Sequence, residues 1–167
     1  MFNIVLHEPE IPNNTGNIGR TCVATGSSLH LIEPLGFDID EKACRRAGLD
    51  YWPRLDLHTH SDLGSYEEAT TGANRWYLST TGQRSVFEAE FLPGDHLVFG
   101  KESKGLPRGL LEAATDRVLC LPMMPGERSL NLSSSACVVV YEAIRQCIAR
   151  GDTKLDANKR LVGSRNA

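Results

Sequence analysis

No stretch of this 167-residue chain is both apolar enough and long enough to cross a bilayer, and its first residues, Met-Phe-Asn-Ile-Val, lack the basic flank and apolar run of a leader. The expectation is a cytoplasmic protein with no membrane span. Cysteine is scarce and odd in number: Cys22, Cys44, Cys120, Cys137 and Cys147, with no C-x-x-C pair. That pattern reads as buried free thiols ahead of disulfides or a metal site. Excess positive charge is also missing. A net charge of −3 argues against a general nucleic-acid coat, although Arg45, Arg46, Lys101, Lys104, Arg108 and Arg128 could still join into a local basic patch. There is no internal repeat, and no G-x-G-x-x-G follows a strand, so a dinucleotide fingerprint is excluded. GKESKGLP has two glycines at the phosphate-loop interval, but Leu106-Pro107 stands where that loop needs Lys and then Ser or Thr. His58 and His60 alternate onto one side of a short strand; with no third ligand near them in sequence, no metal is expected.

What is present is organised around residues 118–150, which read as strand, polar loop and long helix. Val118 to Leu121 is a short apolar run stopped by Pro122, and MMPGERSLN after it has the punctuation of a functional loop. Ser129 or Asn131 can cap a helix that Gly151 closes, with Leu132, Ala136, Val139, Val140, Ala143, Ile144 and Cys147 on one face. Burying the four large aliphatics of that stripe is worth about 6–12 kcal/mol as an upper bound. Glu127, Arg128, Ser129 and Asn131 crowd donors and acceptors beside the helix N-terminus, where polar ligands and anions bind.

In chain order, strands are expected at Phe2 to Leu6, Leu29 to Ile32, Leu55 to Thr59, Arg75 to Ser79 and His96 to Phe99. Helices are expected after a cap at Asn14 or Thr15, over Asp40 to Ala47, over Ser61 to Ala69, and from Pro107 to about Ala114. Ser85 to Phe91 alternates without a clear assignment. The pattern predicts an α/β fold: a single domain over 1–151 with a largely parallel sheet flanked by helices, then a polar, flexible tail over 152–167. Ligands of such sheets bind beyond the C-terminal ends of the strands. Three loops in those places combine glycine with polar side chains: NNTGNIGR, GKESKG and MMPGERSLN.

Those three segments carry a resemblance. Asn14-Thr-Gly-Asn-Ile-Gly-Arg20, Phe99-Gly-Lys-Glu-Ser-Lys-Gly-Leu106 and Ser129-Leu-Asn-Leu-Ser133 resemble, in order and spacing, the motifs of the SpoU/TrmH branch of the SPOUT methyltransferases. HEPEIPNNTGNIGR and RRAGLDYW are most similar to the minimal members that methylate the wobble nucleotide of transfer RNA. The resemblance covers about residues 1–150. It implies an S-adenosyl-L-methionine-dependent RNA 2′-O-methyltransferase with a C-terminal trefoil knot, which general topology would not suggest because threaded chains are rare. It implies transfer RNA as partner, with the first anticodon nucleotide, a cytidine or modified uridine in leucine transfer RNAs, as acceptor. With no added RNA-binding domain, the family's usual homodimer is expected.

By the same resemblance, Leu78, Gly100, Leu121, Ser129 and Leu130 hold the methyl donor, and Asn14, Arg20, Glu102, Ser129 and Asn131 are the catalytic side chains. Guanidinium groups stay protonated in proteins, so Arg20 is read as gripping phosphate or stabilising a developing alkoxide, with Glu102 and Asn131 orienting it or the acceptor. Arg20, Arg128, Tyr141 and Arg145 are candidate RNA contacts. Tyr141 and Arg145, one helical turn apart, serve equally well as an exposed pair or a subunit surface. Two other readings stand beside this one: a catalytically silent RNA-binding protein on the same fold, and an enzyme acting on another transfer-RNA position or on ribosomal RNA.

Overall fold

A computed structural model describes residues 1–37 and 50–162. Short apolar runs bounded by turn residues form the strands of one sheet: Asn3–His7 (β1), Ser28–Ile32 (β2), Leu57–His60 (β3), Arg75–Leu78 (β4), Arg84–Ser85 (β5), His96–Phe99 (β6) and Val118–Cys120 (β7). They lie in the order β3, β2, β1, β6, β4, β7, β5, and every pairing is parallel. A parallel sheet is covered on both faces, which is why its strands read as continuous apolar runs. Alternate residues go to opposite sides. Ile4, Leu6, Leu97 and Phe99 join one cluster with the long helix, whereas Val5, Ile32 and Val98 join another with Tyr66, Tyr77 and Leu106.

The helices are Pro12–Thr25 (α1), Leu63–Ala69 (α2), Arg108–Ala113 (α3) and Leu132–Arg150 (α4). The stripe on α4 is as expected: Ala136, Val139, Val140, Ala143, Ile144 and Cys147 are buried, and α4 packs against α1. Asn131 is its cap, accepting from the Ser133 and Ser134 N–H groups, and Gly151 ends it at φ 87°. The expected cap of α1 is corrected. Pro12, with φ already set for a helix, starts it two residues before Asn14, and Ile11 stands at the cap position with no side-chain bond. Asn14 and Thr15 lie inside the helix and are buried.

Residues 84–88, unassigned from sequence, form the short edge strand β5 and a 3₁₀ turn, Val86–Glu88, fixed by reciprocal Ser85 and Glu88 capping bonds. Cys22 and Cys147 are buried, but Cys120 and Cys137 are only half-buried. Within the segment from 152 onward, Lys154–Leu155 (β8) and Leu161–Val162 (β9) pair as an antiparallel hairpin with Leu155 and Val162 exposed. The helix expected over 40–47, with Cys44, Arg45 and Arg46, lies outside the described residues. Among those described, no helix is long and apolar enough to cross a membrane.

Candidate active site

β1 and β6 are neighbours in register, with Leu6 opposite Phe99, so the loops leaving their C-terminal ends run side by side. β4 and β7 continue the same edge. Beyond these ends lies a cavity of about 1040 Å³, lined by residues 78–83, 99–106 and 128–132 together with Asn14, Leu119 and Leu121. Leu78, Gly100, Leu121, Ser129 and Leu130 all contribute to its wall. Leucine side chains make part of the wall apolar, while residues 121–131, free of ladder pairing, leave backbone donors and acceptors available for a polar ligand.

At one end of the cavity three side chains, from the first turn of α1, the loop after β6 and the cap of α4, form a directional chain. Asn131 accepts the Ser133 and Ser134 N–H groups through Oδ1, at 2.9 and 3.2 Å, and donates from Nδ2 to Asn14 Oδ1 at 2.9 Å. Asn14 in turn donates to Glu102 Oε1 at 2.8 Å, and Glu102 Oε2 accepts the Glu10 N–H at 2.9 Å. Each amide is polarised in the same sense, from the positive end of α4 toward the carboxylate. Asn14, only 5% exposed, therefore has both ends of its amide committed. Glu102 accepts a hydrogen bond at each oxygen.

Arg20 stands outside this group. It follows Asn14 by six residues, about 120° round the helix and about 9 Å along it, so α1 cannot aim both at one point. Its side chain is 61% exposed, lies 4.0 Å from Asp50, and stacks 4.4 Å over the Tyr51 ring. The Tyr51 hydroxyl donates to the Gly16 carbonyl at 2.5 Å, so the platform under Arg20 is fastened to the helix that carries Arg20. Arg128 lines the cavity and is exposed. Tyr141 is half exposed on the outer face of α4, and Arg145 beside it is held by both oxygens of Glu142. Of the prospective basic patch, Lys101 pairs with Glu8 and Arg108 with Glu112.

Gly100 differs from expectation in its reason. A Cβ there would sit 2.1 Å from the Gly105 carbonyl carbon and 2.2 Å from the Leu106 nitrogen. The glycine lets the 100–105 loop close on its own backbone, where Lys101 bridges to Gly105, before any ligand is considered. Gly82 plays a similar part: its Cβ would meet the Leu119 carbonyl carbon at 2.6 Å. Ser79, expected as the end of a strand, and residues 80–83 after it thus form a cavity wall that the glycine after a strand end could have signalled.

Among the described residues, His58 and His60 belong to no group of three or more His, Cys, Asp or Glu side chains placed to hold a metal ion. They instead stack with His30, at 4.6 and 5.3 Å between ring centroids, and His30 approaches His96 at 5.3 Å. Burial, then the neighbouring imidazoles, hold His30 down at about 3. Burial, then Arg75, hold His96 at about 4.

A parallel α/β sheet whose C-terminal loops enclose one cavity, with an amide relay running from a helix N-terminus to a carboxylate, defines an enzyme of the class that binds its ligand beyond the strand ends. The profile of the SpoU rRNA Methylase family matches residues 1–141, and the chain belongs to that family. A Saccharophagus degradans protein named tRNA (cytidine(34)-2′-O)-methyltransferase is 53% identical over 147 residues, covering 87% of this chain and 96% of its own. A solved structure concerned with the 2-OH methylation of C/U34 on tRNA superposes with a TM-score of 0.84 at 46% identity, covering 90% of this chain and 98% of its own. The SpoU methyltransferase AviRb from Streptomyces viridochromogenes, solved with the cofactor AdoMet, shares the fold at a TM-score of 0.76 and 24% identity, over 88% of this chain and 58% of its own.

Proposed function

We propose that this chain is an S-adenosyl-L-methionine-dependent 2′-O-methyltransferase acting on the ribose of the wobble pyrimidine, cytidine or a modified uridine, of transfer RNA, with leucine transfer RNAs as the expected set. The observation that carries the reading is the Asn131–Asn14–Glu102 relay at the rim of the cavity, made from the three motif segments. The full-length similarity to relatives bearing that activity's name supports it. Leu78, Leu121 and Leu130 supply apolar walls for the donor's adenosine, and the backbone around Gly100 and Ser129 supplies polar contacts. Bound there, the donor offers a methyl group on a positively charged sulfur. Asn14, Glu102 and Asn131 fix the acceptor side, and displacement in line with the sulfur needs that alignment.

Arg20 and Arg128 are assigned to RNA phosphate, with Tyr141 and Arg145 on the α4 face as further contacts with RNA or a second subunit. A homodimer is part of the proposal, because Val138 and Tyr141 leave apolar surface open on α4 and the described chain has no separate RNA module. So is a C-terminal trefoil knot, which rests on the resemblance of the three motif segments alone. The setting is the cytoplasm, where transfer RNA is processed.

The test is mass-spectrometric mapping of transfer RNA from cells with and without the gene, beside sedimentation of the purified protein. Loss of one ribose methyl at the first anticodon nucleotide, from a protein that sediments as a dimer, is expected. A methyl missing only from ribosomal RNA, the substrate in the family's descriptive name, overturns the substrate and leaves the reaction standing.

A further inference from the structure

Three consecutive residues of the β6–α3 loop are each held by the β1–α1 loop, and the bonds run in both directions. Lys101 Nζ donates to Glu8 Oε2, Glu102 Oε2 accepts the Glu10 N–H at 2.9 Å, and Glu10 returns both carboxylate oxygens to Ser103. Of these, Oε2 accepts the Ser103 N–H at 2.9 Å and Oε1 the Ser103 hydroxyl at 2.8 Å. On its far side the β1–α1 loop is braced by the β2 edge. The Glu8 N–H bonds the Ile32 carbonyl, the Gly36 N–H bonds the Pro9 carbonyl, and a Cβ on Gly36 would lie 2.9 Å from Glu10 Cα.

Glu8 adopts φ +50°, a conformation that L side chains disfavour and that Gly or Asn usually fills. A glutamate kept there, with its carboxylate on Lys101, indicates that the side chain is used. None of these bonds lies between strands, and neither loop needs them to close the sheet. Their common result is to fix where the Glu102 carboxylate stands, and through it Asn14.

Resting on the methyltransferase reading, we propose that Glu10, seconded by Glu8, is a positioning residue: it holds the 101–103 loop so that Glu102 keeps Asn14 and Asn131 in register for methyl transfer. Glu10 acts through Ser103 and touches neither donor nor acceptor. Losing both bonds in Glu10→Ala frees the loop by a fraction of an ångström to an ångström, and misplacement of that order lowers turnover about 10- to 100-fold. Donor affinity changes less than about threefold, because Leu78, Leu121, Ser129 and Leu130 lie outside the clamped loop and Gly100 is held by its own close packing on Gly105 and Leu106.

The test compares wild type, Glu10→Ala, Glu10→Gln and Ser103→Ala for kcat, donor affinity by calorimetry, and amide exchange of residues 100–106. Glu10→Gln keeps one carbonyl acceptor and should recover part of the turnover. Glu10→Ala and Ser103→Ala combined should cost no more than the worse single change, and exchange in 100–106 should quicken about tenfold in Glu10→Ala. Folded Glu10→Ala with turnover within twofold of wild type, or with kcat and donor affinity falling together, overturns the assignment. Absence of transfer by the wild type overturns the parent reading with it; the exchange data then still report whether Glu10 holds the loop.

Discussion

Replacing Asn131 in two ways separates its structural role from its role in the relay. Asn131→Ala removes the cap of α4, whose Oδ1 accepts from the Ser133 and Ser134 N–H groups, and also the donor to Asn14. Loss of such a cap costs about 1 kcal/mol, within a range of about 0.5–2, and lowers the melting temperature about 2–4 °C per kcal/mol in a domain of this size. Asn131→Asp keeps a carboxylate oxygen in the capping position and adds a negative charge at the helix N-terminus, so stability should stay within about 0.5 kcal/mol of wild type. What it loses is the N–H donor. Asn14 is then caught between two carboxylates, and whichever way its amide turns, one acceptor faces another. Relieving that clash shifts the relay by a fraction of an ångström to an ångström, and misplacement of that order predicts a fall in kcat of about 10- to 100-fold. Circular-dichroism melting and single-turnover methyl transfer at saturating RNA measure the two effects. If Asn131→Asp melts like wild type and also turns over at more than half its rate, the relay has no part in alignment.

Acidification should destabilise the fold through the histidine cluster. His30 and His96 are held at about 3 and about 4 when folded, with His60 lowered as well by burial and His58. The unfolded chain therefore takes up protons first. Stability is undiminished above the ordinary value of 6.5 and is lost between there and about 4 to 3, the loss amounting to about 2 kcal/mol per buried ring by pH 5. Melting temperatures at pH 7.5 and pH 5 should differ, with a smaller difference in His30→Gln; a flat profile in wild type would refute the argument. Gly100→Ala is a second expectation. With its Cβ 2.1 Å from the Gly105 carbonyl carbon, the loop must reopen, so donor titration should show at least tenfold weaker binding together with a lower melting temperature. Unchanged donor affinity in the folded variant removes Gly100 from the site.

Much of this architecture could be read from local pattern. The run His96–Phe99 ends on a glycine and is a strand at those bounds, and the 3.6-residue stripe of α4 is buried as its spacing predicts. Of the three glycine- and polar-rich segments expected as loops, GKESKG and MMPGERSLN are outside helix and sheet, whereas NNTGNIGR lies inside α1. The Glu10–Ser103 clamp was not, because 93 residues separate its partners and only the pairing of β1 with β6 brings them together. Nor was the cap of α1 readable. Asn14 has the chemistry of a cap, but Pro12 starts the helix earlier and leaves the amide pointing sideways toward Glu102. β5, two residues long, has no periodicity to detect.

The hydrogen-bond polarity bears on how the acceptor hydroxyl loses its proton under the proposed function. Glu102 spends one oxygen on the Glu10 N–H and the other on Asn14, so its geometry is that of an orienting group rather than a free base. Arg20 is a cation stacked on Tyr51 and has no lone pair to offer. The bound donor would supply a methyl whose bond to sulfur breaks, leaving a neutral thioether, as the bond to the ribose oxygen forms; that oxygen, positively charged while it keeps its proton, would be a stronger acid than hydronium. Proton loss to water is then downhill once the bond has formed, and no strong base has to be built into the site. What the protein must supply is alignment, and the relay, clamped loop and glycine-closed cavity edge all serve that end. Such a site spends its residues on holding geometry, which is why its polar side chains are bonded to one another while the exposed Arg20 and Arg128 are left to the charge of the proposed RNA substrate.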